Sequence, residues 1–76
     1  MNRIRRKSLQ GIIDLLEELK GSLEELQEGE EDYRDNMPEN LCGSERYEKA
    51  EEAISNIEDA VSSLEDVICS IEAAME

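Results

Sequence analysis

The strongest constraint on the fold is an apolar repeat in the second half of the chain, with alternating spacings of three and four residues. The repeat runs without a break through Tyr47, Ala50, Ile54, Ile57, Val61, Leu64, Ile68, Ile71 and Met75. These spacings keep side chains on one side of an α-helix, whereas a half-buried strand would need a period of two. We therefore predict one long helix over about residues 45–75.

The first half of the chain carries a shorter repeat of the same kind, which predicts a helix over about residues 3–35. Its members are Leu9, Ile12, Leu16, Leu19, Leu23 and Leu26. Ile13 and Leu15 widen the apolar side near its start. Continuing the count places an acidic residue, Glu30, directly after Gly29, and we expect the helix to fray or bend there.

A short connection, residues 36–43, separates the two predicted helices. Pro38 disfavours helical geometry at the residue before it. Gly43 can adopt a left-handed conformation, and Ser44 suits the N-cap of the second helix. Two long helices joined by a short connection predict an antiparallel helical hairpin, a single all-α domain spanning residues 1–76.

Six residues of each helix should form the helix-packing interface of this hairpin. On one side these are Leu9, Ile12, Leu16, Leu19, Leu23 and Leu26, and on the other Ile54, Ile57, Val61, Leu64, Ile68 and Ile71. A further series flanks the second set: Ala53, Ala60, Val67 and Ala74. Because a lone hairpin leaves such wide faces in water, we expect a homodimer that forms a four-helix bundle. The alternative is a hairpin whose open face binds a different protein.

The charge of the chain is unbalanced and patterned. It holds 21 acidic and 8 basic residues and no histidine, a net charge of −13. Acidic pairs recur every seven residues and predict a ridge along each helix: Glu17, Glu18, Glu24, Glu25, Glu51, Glu52, Glu58, Asp59, Glu65 and Asp66. The ridges either keep an apolar-rich protein soluble or bind a basic protein by imitating nucleic-acid phosphates.

The start of the chain has the opposite charge. Residues 1–7, the basic tip, carry +4, and residues 8–76 carry −17. In an antiparallel hairpin the basic tip lies near the end of the second helix, so we expect it to pair with Glu72 and Glu76. The alternative is contact with an anionic partner. The chain as a whole is too acidic to bind nucleic acid or an anionic membrane directly.

Missing residue types exclude most catalytic chemistry. Without histidine the chain lacks the usual general base and the commonest metal ligand. A calcium loop counted from Asp32 fails because Arg34 and Gly43 occupy ligand positions. We expect no enzyme activity, no cofactor and no metal site. No secretion signal or membrane-spanning run is visible, which indicates a cytoplasmic protein with reduced thiols at Cys42 and Cys69.

Residues 35–41 and 44–48, followed by a heptad helix, carry a resemblance that extends over residues 30–75. This part of the chain resembles small acidic proteins encoded by phages and prophages of gut Firmicutes. The resemblance implies a setting in which small acidic proteins often block host defence enzymes by mimicking DNA. We therefore expect a non-enzymatic protein-interaction module that acts through its helix faces. The alternative is an acidic DNA-mimic inhibitor of a host nuclease or defence protein, of the anti-CRISPR or anti-restriction type.

Overall fold

The computed structural model describes residues 1–38, 40 and 43–76, and these contain two α-helices and no strand. Helix α1 runs Arg3–Asp35 and helix α2 runs Glu45–Ala74. The two helices pack along each other in opposite directions, so the predicted all-α antiparallel hairpin is confirmed. Glu39, Leu41 and Cys42 lie outside the described residues, and the reduced thiol at Cys42 stays a prediction.

Both helices begin at a side chain that caps the first turn. The Asn2 Oδ1 atom accepts a hydrogen bond from the Arg5 N–H at 2.8 Å. The Ser44 Oγ atom accepts one from the Tyr47 N–H at 3.3 Å. Each bond satisfies a backbone donor that has no partner within its helix. Directly before Ser44, Gly43 has a φ of 91°, which a residue with a Cβ atom adopts only at a cost.

Helix α1 continues without interruption past Gly29 to Asp35, so the fraying expected at residues 29 and 30 does not occur. Glu30 is half-buried and shares a shallow hollow with Arg46 and Lys49 of α2. Positively charged side chains of the other helix therefore line the same hollow as the acidic interruption of the α1 repeat, and nearby opposite charges lower the cost of a half-buried carboxylate.

Two polar contacts show how the helices are aligned. The Gln27 Nε2 atom donates to Glu58 Oε1 at 3.3 Å, and the Lys20 Nζ atom lies 3.7 Å from Glu65 Oε1. The second contact lies seven residues from the first on both helices. Extending this step places Ala74, the last residue of α2, level with Gly11, so residues 1–10 lie beyond the end of α2.

The hairpin is a narrow rod of 59 × 15 × 12 Å. Its radius of gyration is 17.4 Å, whereas a globular domain of this length would have about 11 Å. A rod this thin buries few side chains. Only Ile13, Ala50, Ile54 and Ile68 are buried among the described residues.

The α2 side of the interface follows the heptad prediction. Ile54 and Ile68 are buried, and the other four predicted residues are half-buried: Ile57, Val61, Leu64 and Ile71. On α1, Leu9, Leu16 and Leu23 are half-buried in the same way. These nine residues therefore lie where the repeat predicts.

The remaining three interface predictions on α1 were wrong. Ile12 is 45% exposed, Leu19 57% and Leu26 65%. Their neighbours take their places in the interface: Ile13 is 5% exposed, and Lys20 and Gln27 are half-buried. Helix α1 is thus rotated about its axis by roughly half of the 100° step between successive residues, relative to the expected orientation.

The rotation brings three polar side chains of α1 next to α2 along one edge of the interface. Besides Lys20 and Gln27, the third half-buried polar residue on this side of α1 is Arg34. The hydrogen bond that Arg34 Nε donates to Asp35 at 3.1 Å is the main cause of its raised pKa, and the charge of Glu51 on α2 contributes least. We call the three α1 side chains and their acidic neighbours on α2 the polar ladder. The orientation expected from apolar residues alone would remove this favourable pairing.

Candidate functional site

The rotation of α1 leaves one broad face of the hairpin without a single acidic residue, and we call it the acid-free face. Its members on α1 are Ile12, Leu15, Leu19, Ser22, Leu26, Gly29 and Tyr33. Its members on α2 are Ala53, Asn56, Ala60, Ser63, Val67, Ser70 and Ala74. In a chain with 21 acidic residues, such a surface is the most distinctive feature of the molecule.

Shared hollows show that the two halves of the acid-free face lie on the same side of the hairpin. Tyr33 of α1 lines a hollow with Arg46 and Lys49 of α2. At the other end, Leu9 lines a hollow with Val67 and Ala74. The polar ladder joins the helices along the opposite edge. The fourteen residues therefore form one continuous surface along the rod.

Large apolar side chains stand out from this surface into solvent. Leu15 is 60% exposed, Tyr33 47% and Val67 44%, in addition to the three residues displaced from the interface. The α2 members are smaller, and Ala60 and Ala74 are exposed. Scattered exposed leucines are ordinary on a protein surface, but a continuous strip of them marks a binding surface.

The ten residues of the predicted acidic ridges are all exposed. By their helical positions they lie on the opposite broad face or along the outer edges of the rod. Glu58 and Glu65 also take part in the polar ladder. Asp66 lies at the rim of the acid-free face, in the hollow with Leu9. The hairpin therefore has one neutral apolar face and one acidic face.

The basic tip does not form the ion pairs that we expected with Glu72 and Glu76. Residues 1–8 are all exposed, and within the described part of the chain no ion pair involves Arg3, Arg5, Arg6 or Lys7. The register explains the difference, because the tip projects past the end of α2. Six residues separate Arg3 from Leu9, which is about 9 Å of helix.

Residues 1–38, 40 and 43–76 contain no group of three or more histidine, cysteine or acidic side chains arranged to hold a metal ion. Cys69 is an exposed free thiol on α2, outside the acid-free face. Neither α1 nor α2 has an apolar stretch suited to crossing a bilayer.

Comparison with protein-family models, with curated proteins and with solved structures finds no match to this chain. The candidate site therefore rests on the geometry of the hairpin itself. In the sequence, the acid-free face is marked by helix positions at which no acidic residue occurs. A search for apolar repeats does not find these positions, because it considers only apolar residues and not the distribution of charge.

Proposed function

We propose that this chain is a non-enzymatic protein-interaction module that dimerises through the acid-free face. Two hairpins packed by this face would form a four-helix bundle. One observation carries the proposal: six large side chains that are 44–65% exposed lie together on a face with no acidic residue. Covering this face would complete a core that a single hairpin lacks.

The surface area of the hairpin supports a second copy as the occupant. The chain exposes 5728 Å², whereas a monomeric protein of 8.6 kDa exposes about 4,700 Å². The excess is roughly 1,000 Å², and a standard protein interface buries about 800 Å² on each partner. One face of this hairpin therefore supplies the area that a stable dimer needs.

The charge distribution supports the same occupant. Two chains of net charge −13 repel each other unless their carboxylates stay apart. Pairing by the acid-free faces keeps the ten residues of the acidic ridges at the rim or on the outside of the bundle. Any other broad face would bring rows of glutamate together.

The oligomeric state tests this proposal, and analytical ultracentrifugation measures it. The wild-type chain should sediment as a dimer of 17.2 kDa, twice the 8.6 kDa of one chain. Leu19→Glu should sediment as a monomer, because it places a carboxylate at the centre of the buried face at a cost of several kcal/mol.

Gly21→Glu is the matched control for this substitution. It adds the same charge two residues away on the outer side of α1, where nothing lies within 4 Å of the position that a Cβ atom would occupy. This variant should remain a dimer. A monomeric wild type, or a Leu19→Glu variant that still dimerises, would contradict the proposal.

A second candidate function is an acidic inhibitor that occupies the basic DNA cleft of a host nuclease or defence protein. The observation in its favour is the separation of charge, since a dimer joined by its acid-free faces would present an almost wholly acidic outer surface. The resemblance at residues 35–41 and 44–48 supports a phage or prophage setting and, with it, action in the cytoplasm of a host cell.

Charge reversal on the outer side of α1 tests this second candidate. Glu17, Glu18, Glu24 and Glu25 lie outside the polar ladder, so replacing all four with lysine should leave the hairpin folded. A DNA mimic should inhibit DNA cleavage by at least one enzyme in a panel of CRISPR nucleases and restriction enzymes, and the lysine variant should lose this inhibition. Inhibition that survives the reversal, or none across the panel, would exclude mimicry.

A further inference from the structure

The projecting basic tip and the acidity of the connection end suggest how two copies are oriented. The tip carries +4, projects past α2 and has no ion pair in the described part of the chain. At the other end of the rod, residues 28–35 and 45–52 hold nine acidic and three basic side chains, a net charge of −6. Each copy therefore has a basic end and an acidic end along a rod 59 Å long.

We propose that the two hairpins of the dimer run in opposite directions, so that the basic tip of each lies against the acidic connection end of the other. This inference rests on the dimer proposed above and adds its symmetry. Opposite directions place +4 beside −6 at both ends of the bundle. If the two hairpins ran in the same direction, the two tips would lie together at one end and the two acidic ends together at the other.

The spacing of residues on α1 fits this arrangement. A twofold axis across the acid-free face at Leu19 places α1 of one copy against α1 of the other in the opposite direction. Residues equally far from Leu19 then meet: Ile12 lies against Leu26, and Arg5 lies against Tyr33. Apolar residues are matched with apolar residues in the middle. At each end a guanidinium meets an aromatic ring that is flanked by Asp32.

The small residues of α2 allow the same axis. The contacts Lys20–Glu65 and Gln27–Glu58 place Leu19 level with Asp66, so the axis crosses α2 between Ser63 and Ser70, next to Val67. Small residues of the two α2 helices then interleave on either side of the axis. Two α2 helices that meet through small residues can approach closely, which brings the larger side chains of the two α1 helices into contact at the same time.

Distance measurement between spin labels decides the orientation. A single label is placed at Ser8→Cys in a chain whose Cys42 and Cys69 are replaced by serine, and dimerisation of the labelled chain is checked by sedimentation. With the axis at Leu19, the two Ser8 positions lie eleven residues to either side, about 33 Å apart along the bundle. In a dimer whose hairpins run in the same direction, both labels lie at one end of the bundle, on diagonally opposite helices about 14 Å apart.

Reversal of the tip charge tests its contact with the connection end. Replacing Arg3, Arg5 and Arg6 with glutamate should raise the dissociation constant of the dimer at least about tenfold. The control is Lys20→Glu, which lies in the middle of the rod away from both ends, and its effect should appear in the stability of the hairpin.

Each outcome bears on a defined part of the inference. A distance near 33 Å together with a weakened tip variant supports it. A distance near 14 Å overturns the orientation and leaves the proposed dimer intact, whereas a monomeric chain overturns both. A long distance with no effect of tip reversal shows that the tip does not contact the connection end.

Discussion

Two neighbouring isoleucines on α1 provide a direct test of how this helix is oriented. Ile12 and Ile13 have the same side chain, but Ile12 is 45% exposed and Ile13 only 5%. The heptad repeat places Ile12 in the interface, and the structure places Ile13 there. Replacing each with alanine therefore separates the two orientations with chemically identical changes.

The expected costs follow from the exposed fractions. Truncating a buried isoleucine to alanine costs about 3 kcal/mol, including the cavity that it leaves. Ile12 loses roughly half of its contacts with solvent on folding and leaves no enclosed cavity, so Ile12→Ala should cost about 1 kcal/mol. The total stability of a 76-residue chain is on the order of 4–11 kcal/mol, which makes a difference of about 2 kcal/mol large.

Urea unfolding followed by circular dichroism measures this difference. With a slope of about 1 kcal/mol per molar urea, Ile13→Ala should lower the midpoint by about 3 M and Ile12→Ala by about 1 M. Both variants are measured in dilute solution and again in the Leu19→Glu background, where the acid-free face should be unoccupied. If Ile12→Ala costs as much as Ile13→Ala in that background, the rotated orientation of α1 is wrong.

Three further predictions concern the hairpin itself. Gly21→Ala should raise stability by about 0.5–1 kcal/mol, seen as a higher thermal midpoint, because the position is helical and open around its Cβ site. Ser44→Ala should lower stability by about 1 kcal/mol through loss of the bond from the Tyr47 N–H, and an unchanged urea midpoint would contradict the cap. Lys20→Glu should destabilise the hairpin, and adding Glu65→Lys should restore less than about 1 kcal/mol of the lost stability. A double-mutant cycle that shows no restored stability would contradict the ion pair between Lys20 and Glu65.

The sequence was sufficient to predict α2 because its largest apolar residues follow one unbroken repeat and the series that flanks it is mostly alanine. On α1 the apolar arc is wider, and one partner helix can cover only part of it. The part that is covered brings Lys20 and Gln27 next to acidic partners that lie some thirty to forty-five residues away on α2. A pattern read along one helix does not contain that information.

The projection of the basic tip was equally hidden from the sequence. It depends on the register between the helices, and the register depends on the ladder contacts and the geometry of the connection. The acid-free face was accessible in principle, because each of its positions can be read from the sequence once the orientation of α1 is known. The rotation of α1 against α2 thus decides which residues make up the acid-free face and where the acidic residues lie. That rotation is seen only when the two helices are packed together.

The placement of both chain termini at one end of the rod has a mechanical consequence. A force that pulls the two termini apart acts on one turn of the interface at a time, beginning at Leu9 and Ile71 and moving toward Gly43. The same hairpin pulled between its termini and its connection is loaded along its whole length, and all of its contacts resist together. Pulled by its two termini, the hairpin should therefore unfold turn by turn at low force. Pulled between its termini and its connection, it should resist far more strongly.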